Sequence, residues 1–376
     1  MGIDKGPRSY ENWKVAIQGI SSKGAYEVPL FTDIHIVGEK RDDFGPYQFL
    51  NPAAIQKEGV LRPRIILRWE NHLEFTLPDM EHTEDHLYHG GQLYDEITAL
   101  SSLALGIRLK SGGITREFTP DGDIRGKPVG YEMSKNPILL KNVREPIISY
   151  DGRSSNLGNL APLSIFPNLS PRDAIALVKA SRLYQDALWI AESEPELAWI
   201  MFVSAIETAA NYWRETKETA VEKLHVSKPD IETILFGYGG SELVEKIAEL
   251  LAPSMGATKK FTDFLLEFLP LLPTKRPEEY ARLSWKASDI KKTFNKIYDY
   301  RSKALHGSKR FPAPMCDPPM KAGEHLAEVP NSYSMAIKGG VWLKEDVPIL
   351  LNTFEYIVRG ALLNWWASLY SEDSDE

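Results

Sequence analysis

Only one cysteine, Cys316, stands among 376 residues. No disulfide can therefore close within the chain, and no cysteine cage for zinc can be built from it alone. Long hydrophobic runs are missing as well, since no stretch stays apolar for the roughly 20 residues that a bilayer crossing requires. The first residues, MGIDKGPRSY, lack the apolar run of a secretory signal, and Gly6 stands where the myristoylation pattern needs serine or threonine. The expectation is a cytoplasmic protein with no membrane association. A glycine loop of the form G-x-x-x-x-G-K-[ST] is absent, and so is a G-x-S-x-G elbow, which removes the simplest support for nucleotide hydrolysis and for serine catalysis. An excess of positive charge is lacking too. At a net charge of −8 the chain cannot coat nucleic acid through a general field, so any contact with phosphates must be local.

What is present divides by pattern. Up to about residue 150 the apolar residues favour strands: Trp13, Val15 and Ile17 alternate with polar neighbours, as do Ile65, Leu67 and Trp69. After Glu70-Asn71-His72 the alternation resumes at Leu73, Phe75 and Leu77, as a hairpin requires. One helix interrupts this half, with Leu93, Ile97, Leu100, Leu103 and Ala104 at helical spacing before Gly106. Further strands are expected around the turns at Gly112-Gly113 and Asp121-Gly122. The stretch SSNLGNLAPLSIFPNLS, 154–170, is rich in Ser, Asn, Gly and Pro and reads as a linker. The predicted fold is α+β in two domains, a β-rich N-terminal domain over 1–150 and a helical domain over 165–370.

Helix signals dominate after the linker. Ser170-Pro171-Arg172-Asp173 supplies an N-cap, a first-position proline and an acid in the first turn of a helix running to about residue 192. Another helix starts near Pro195, and more are expected over about 241–251, 258–269, 288–306 and 346–369. The helix from Pro195 is apolar nearly all round, with Leu197, Ile200, Met201 and Ala205 on one side and Trp199, Val203, Ile206 and Trp213 on others. It is expected to lie at the centre of the bundle. Glu207 sits inside it. A buried carboxylate needs a cationic partner, for which Arg301, Arg182, Arg214 and Arg282 are candidates; the alternative is a solvated position at the rim.

The local positive charge lies near the end of the chain. Between Asp289 and Arg310, seven cations (Lys291, Lys292, Lys296, Arg301, Lys303, Lys309 and Arg310) face only Asp289 and Asp299. The plain reading is a solvated helix face. The helix from Ser288, which ends in YDYRSKALHG, carries Ile290, Phe294, Ile297, Arg301 and Leu305 near one stripe, with Ser302 and His306 one above the other beside it. Gly307 can end the helix in the left-handed conformation, leaving His306 in the last turn.

This segment resembles the R-x4-6-H motif of HEPN domains, and it is most similar to the Apea-like branch. Aromatic residues precede Arg301, polar Ser302 follows it, and His306-Gly307 closes the motif. The helix WIMFVSAIETAANYW with its central Glu207 resembles the acidic helix of that branch. The resemblance covers about residues 170–370 and departs from the family at Ser302, where Asn, Asp or His is frequent. It implies a metal-independent endoribonuclease with no cofactor, of the kind found in bacterial toxin and antiphage defence systems. Arg301 would stabilise the phosphate, His306 would transfer a proton, Ser302 would position the phosphate and Glu207 would orient Arg301. Lys303, Lys309 and Arg310 would hold RNA. A homodimer through the helical domain would supply the second histidine. Ile349, Phe354, Ile357, Trp365 and Trp366 of the last helix offer apolar surface for it. The N-terminal domain would then serve as a sensor or recognition domain, meeting a protein or phage-derived trigger.

Two other functions are compatible with the sequence. The HEPN-like part can bind RNA, nucleotide or a protein partner without cutting, or the N-terminal half can be a metal enzyme built on His82, His86 and His89. The histidines would share a face only if helical, and EHTEDHLYHGG reads more readily as a polar loop. DGDIRG at 121–126 has Arg125 where a calcium loop needs oxygen, so a turn is expected.

Overall fold

The computed structural model describes residues 5–52, 61–74, 81, 88, 90–129, 136–140, 145–149, 154–213, 219–251, 256–307, 309–330, 335–337 and 340–370. The first element is a helix, α1 (Arg8–Ile17), where the alternation of Trp13, Val15 and Ile17 predicts a strand. The correction has a simple cause: the buried residues are Ser9, Tyr10, Asn12 and Trp13, which share a face at the helical period, while Ile17 is exposed. Asn12 ties this helix to the sheet, donating to the Glu70 carbonyl (2.9 Å) and accepting from the His72 amide (2.8 Å).

Strands β1 (Ala25–Thr32), β2 (His35–Val37), β3 (Lys40–Phe44), β4 (Tyr47–Leu50) and β5 (Arg62–Glu70) follow. Helix α2 (Leu93–Leu105) separates them from β6 (Lys110–Ser111), β7 (Arg116–Phe118), β8 (Lys127–Pro128) and β9 (Ser154–Asn156). Seven strands form one antiparallel sheet in the order β3-β4-β5-β1-β7-β8, with β6 also paired to β1. Opposite residues Val28 and Leu67, and Leu30 and Ile65, are fully buried, so the alternation read at 65–69 marks a true core face. Phe75 and Leu77, the expected return strand, lie outside the described residues. The turns at 112–113 and 121–126 do separate strands; in the second, the Arg125 amide donates to Asp123 Oδ1 (2.9 Å).

The expected linker at 154–170 is core. β9 pairs in parallel with β2, and a 3₁₀ helix (Leu157–Asn168) follows, with Leu157, Leu160, Leu163 and Phe166 all fully buried. Their strict spacing of three is the period of a 3₁₀ helix. Turn-forming composition concealed that stripe.

Helices α3 (Pro171–Ile190), α4 (Pro195–Trp213), α5 (Ala220–Ser227), α6 (Pro229–Leu251), α7 (Ala257–Glu267) and α8 (Ala287–His306) make up most of the second half. The short hairpins β10 (Lys321–Ala322) with β11 (His325–Leu326) and β12 (Met335–Ile337) with β13 (Gly340–Trp342) precede the last helix, α9 (Leu351–Ser368). The signals read at 170–173 cap α3 as expected, Ser170 Oγ accepting from the Asp173 amide (3.1 Å). Helix α5 and the first half of α6, which bends at Gly240 (φ 63°), were not anticipated.

Helix α4 is central, packed against α3, α7, α8 and α9. Leu197, expected among its packed residues, is largely exposed, whereas Trp199 and Phe202 are fully buried. Trp199 stacks on Phe354 of α9 with ring centroids 4.7 Å apart. Ile349, Phe354, Ile357, Trp365 and Trp366 are all fully buried within their own chain. They cannot serve as the expected dimer surface, because the bundle uses both flanks of α9 as core. Buried residues from Tyr10 to Trp366 form one continuous cluster that includes both the sheet and the bundle. None of the described helices is long and apolar enough to cross a membrane.

Candidate functional site

Helix α8 forms because Ile290, Phe294 and Ile297 recur at helical spacing, and all three are fully buried. That stripe continues through Tyr298 to Arg301, so the last two turns present a phenol and a guanidinium towards α4. There the Arg301 Nη2 donates to Glu207 Oε2 (2.5 Å) and the Tyr298 hydroxyl donates to Glu207 Oε1 (2.7 Å). Both members of the ion pair are mostly shielded, at 20% and 17% side-chain exposure, so the attraction is far less screened than at a surface. The Arg301 guanidinium also lies 5.7 Å from the Tyr298 ring centre. Burial pushes the Tyr298 phenol up, and the Glu207 carboxylate reinforces it. Tyr298 is a proton donor across the physiological range, which makes it a fixed clamp on Glu207.

Of the arginines offered as partners for Glu207, Arg301 is in contact, and Arg214 lies outside the described residues. Tyr298 was missed as the third member. Its signal was available, since it stands three positions before Arg301 on the same helix face. The buried Arg301 Nε has no hydrogen-bond partner among the described residues. An orphaned donor of this kind costs about 1–3 kcal/mol and marks unused capacity to bind an acceptor.

His306 occupies the last turn of α8 and is exposed. Five positions beyond Arg301, it leaves the helix about 140° around the axis and about 7.5 Å further along. The guanidinium is directed at α4 while the imidazole faces solvent. Ser302, half-buried, shares the side of His306. Gly307 does not take the expected left-handed conformation: at φ −118° and ψ 6° it closes the helix by donating to the Lys303 carbonyl (2.8 Å), which needs no positive φ. The expected RNA-holding cations surround this end. Lys303 pairs with Asp299 (2.5 Å) and Arg310 approaches Glu196 (3.8 Å), while exposed Lys309 has no carboxylate partner among the described residues. Lys296 is held by Asp346 (2.8 Å) and the Glu345 carbonyl (2.6 Å), which locks α8 to the segment entering α9.

Among the described residues no three His, Cys, Asp or Glu side chains are grouped so as to hold a metal. His82, His86 and His89 lie outside the described residues. No protein-family model matches the chain, and neither does any curated protein or solved structure.

Proposed function

We propose that the chain is a metal-independent endoribonuclease of HEPN type, with Arg301 and His306 as its catalytic pair and RNA as its substrate. One observation carries the reading: the Arg301 guanidinium is fixed by Glu207 and Tyr298 at the end of a cation-rich helix whose last turn exposes His306. In the reaction, a ribose 2′-oxygen attacks the adjacent phosphorus as a base takes its proton. The bond from phosphorus to the 5′-oxygen breaks as an acid protonates that oxygen, leaving a cyclic phosphate and a 5′-hydroxyl. Arg301 offsets the charge on the crowded phosphate, and its fixed orientation lowers the reorganisation this requires. His306 performs one proton transfer. A second copy facing the first supplies the other, so the active species is a homodimer whose contact includes the ends of both α8 helices. Ser302 lies beside His306 to hold a phosphate oxygen. Lys303, Lys309 and Arg310 hold the flanking backbone. The HEPN resemblance implies a cytoplasmic role in toxin action or antiphage defence, with the sheet-bearing half receiving the trigger.

The divergence of Arg301 and His306 around α8 favours a second reading, in which this end of the helix binds RNA without cutting it. RNA cleavage in excess EDTA separates the two. Under the first reading wild-type protein cleaves, and His306→Ala and Arg301→Lys do not. RNA binding without cleavage by wild type assigns the site to recognition alone, and neither cleavage nor binding removes both readings.

A further inference from the structure

A second site has no residue of α8 in its lining: β2, the end of α2, the β10–β11 hairpin and α9 border a half-open cavity of about 710 Å³. This falls within the range of about 300–1,000 Å³ that small-molecule sites occupy. Lys275, His325 and Arg359 reach the cavity from three separate segments. Lys275 is exposed and has no ion-pair partner among the described residues. Arg359 spends Nε on the Leu103 carbonyl (3.0 Å) and Nη2 on the Ala104 carbonyl (2.7 Å), which orients the guanidinium and leaves Nη1 unpartnered among the described residues. The close fit is built in. Gly106 has φ 65°, and a Cβ there would lie 2.5 Å from Arg359 Nε, so only glycine lets this arginine dock on the end of α2.

Two carboxylates line the same cavity, and both already accept hydrogen bonds from the protein. Glu328 is held by Arg276 Nε (2.7 Å) and the Leu283 amide (2.7 Å). Glu355 accepts from the Tyr184 hydroxyl (2.5 Å), and burial pushes its carboxyl above the usual range, with the Tyr184 hydrogen bond and the nearby Arg359 and Arg108 opposing. Asn352 Oδ1 is occupied by the Ser149 amide (2.9 Å), which leaves its amide N–H groups to donate. Leu105, Ile107 and Tyr356 add apolar surface to the lining.

We propose that this cavity binds a phosphorylated organic molecule of about mononucleotide size, its phosphate held by Lys275, Arg359 and His325 and its apolar body lying against Leu105, Ile107 and Tyr356. Three cationic or protonatable groups from separate segments suit a multiply charged oxyanion better than a single carboxylate. The inference does not depend on the RNA reading.

Calorimetric titration of the full chain with AMP tests it, with adenosine and inorganic phosphate as partial ligands. AMP is expected to bind saturably at one site, and each partial ligand at least tenfold more weakly. Lys275→Glu and Val37→Asp place negative charge at exposed positions on the cavity rim, where folding is little affected, and each should weaken AMP at least tenfold. Ile124→Asp, on a turn outside the cavity lining, and Arg301→Lys should leave AMP affinity unchanged. Three results would each overturn the proposal: no saturable AMP binding, AMP binding indifferent to both rim variants, or AMP binding lost in Arg301→Lys but kept in the rim variants. The last would assign the nucleotide to the end of α8.

Discussion

Two arginines of this chain sit against carboxylates in ways that differ instructively. Arg108, 2% exposed, donates Nε to the Leu188 carbonyl (3.0 Å) and Nη2 to Glu192 (2.5 Å), and its Nη1 reaches Asp33 at 3.5 Å. Glu192 in turn accepts from the amides of Ile147 and Ile148. This arginine joins β1's end, the residues before the 3₁₀ segment and the end of α3 into one network. Arg301 is ten times more exposed, touches one carboxylate and keeps a buried Nε without a partner among the described residues. A saturated arginine stabilises the fold, whereas one with spare donors beside solvent can still bind a substrate oxygen.

The largest expected effect separates the two by function. His306→Ala should lower RNA cleavage by about 10²- to 10⁴-fold while leaving thermal unfolding unchanged, because an exposed last-turn side chain carries little packing. Arg301→Lys should lower cleavage by a similar factor, since an ammonium lacks the planar fork. Activity equal to wild type in Arg301→Lys would place Arg301 in the same structural class as Arg108, and in His306→Ala it would remove the proton-transfer role.

Next in size is the reciprocal experiment. Arg108→Met removes the cation and leaves Glu192 and Asp33 buried without it. Denaturant unfolding should show a loss of about 3–5 kcal/mol. A loss below about 1 kcal/mol would mean that the network is not what joins the halves.

A carboxylate without an ion pair among the described residues sharpens the comparison through pH. Glu96 on α2 is fully buried and accepts the Ser9 amide (2.8 Å) at one oxygen. Burial pushes its carboxyl up to about 7 from the ordinary 4.5, with the Ser9 hydrogen bonds and Arg182 opposing. The folded chain therefore holds a proton that the unfolded chain releases between these values. Its contribution to stability is fully present below about pH 4.5, falls as pH rises through about 7, and then levels. The full span is at most about 3 kcal/mol. Glu96→Gln should flatten the stability profile across that window, and an unchanged slope would show that another group carries it.

The smallest effect belongs to the exposed pair of Lys303 with Asp299. Lys303→Ala should change stability by about 0.5 kcal/mol or less. If Lys303 meets a phosphate, the salt dependence of RNA binding should fall by about one charge. An unaltered salt slope would leave Lys303 as a surface ion-pair member only.

Much of this architecture was legible in local pattern. The strand at 62–70, the helix before Gly106, the cap at Ser170 and the helices from Pro195 and near residue 288 all carry signals that neighbouring residues supply themselves. Misreadings arose where the local signal was ambiguous. Trp13, Val15 and Ile17 alternate by coincidence on a helix, and SSNLGNLAPLSIFPNLS hides a three-residue stripe under turn-forming residues. The site was half legible. Glu207 needed a cation wherever it was buried, but four arginines competed until α4 and α8 were packed together.

The amino-acid sequence by itself determined that a sheet-rich half precedes a helical one, the cation-rich end of α8 and the positions of Arg301 and His306 on it, because hydrophobic period and charge are properties of neighbours in the chain. Tertiary structure alone decided that Glu207 and Tyr298 clamp Arg301, that α9 spends its tryptophans on the core, and that Arg359 docks on α2 beside a cavity. Those contacts join residues up to 256 positions apart. Such pairings depend on which buried groups meet once the chain has closed, and burial is what makes an ion pair or an orphaned donor count energetically.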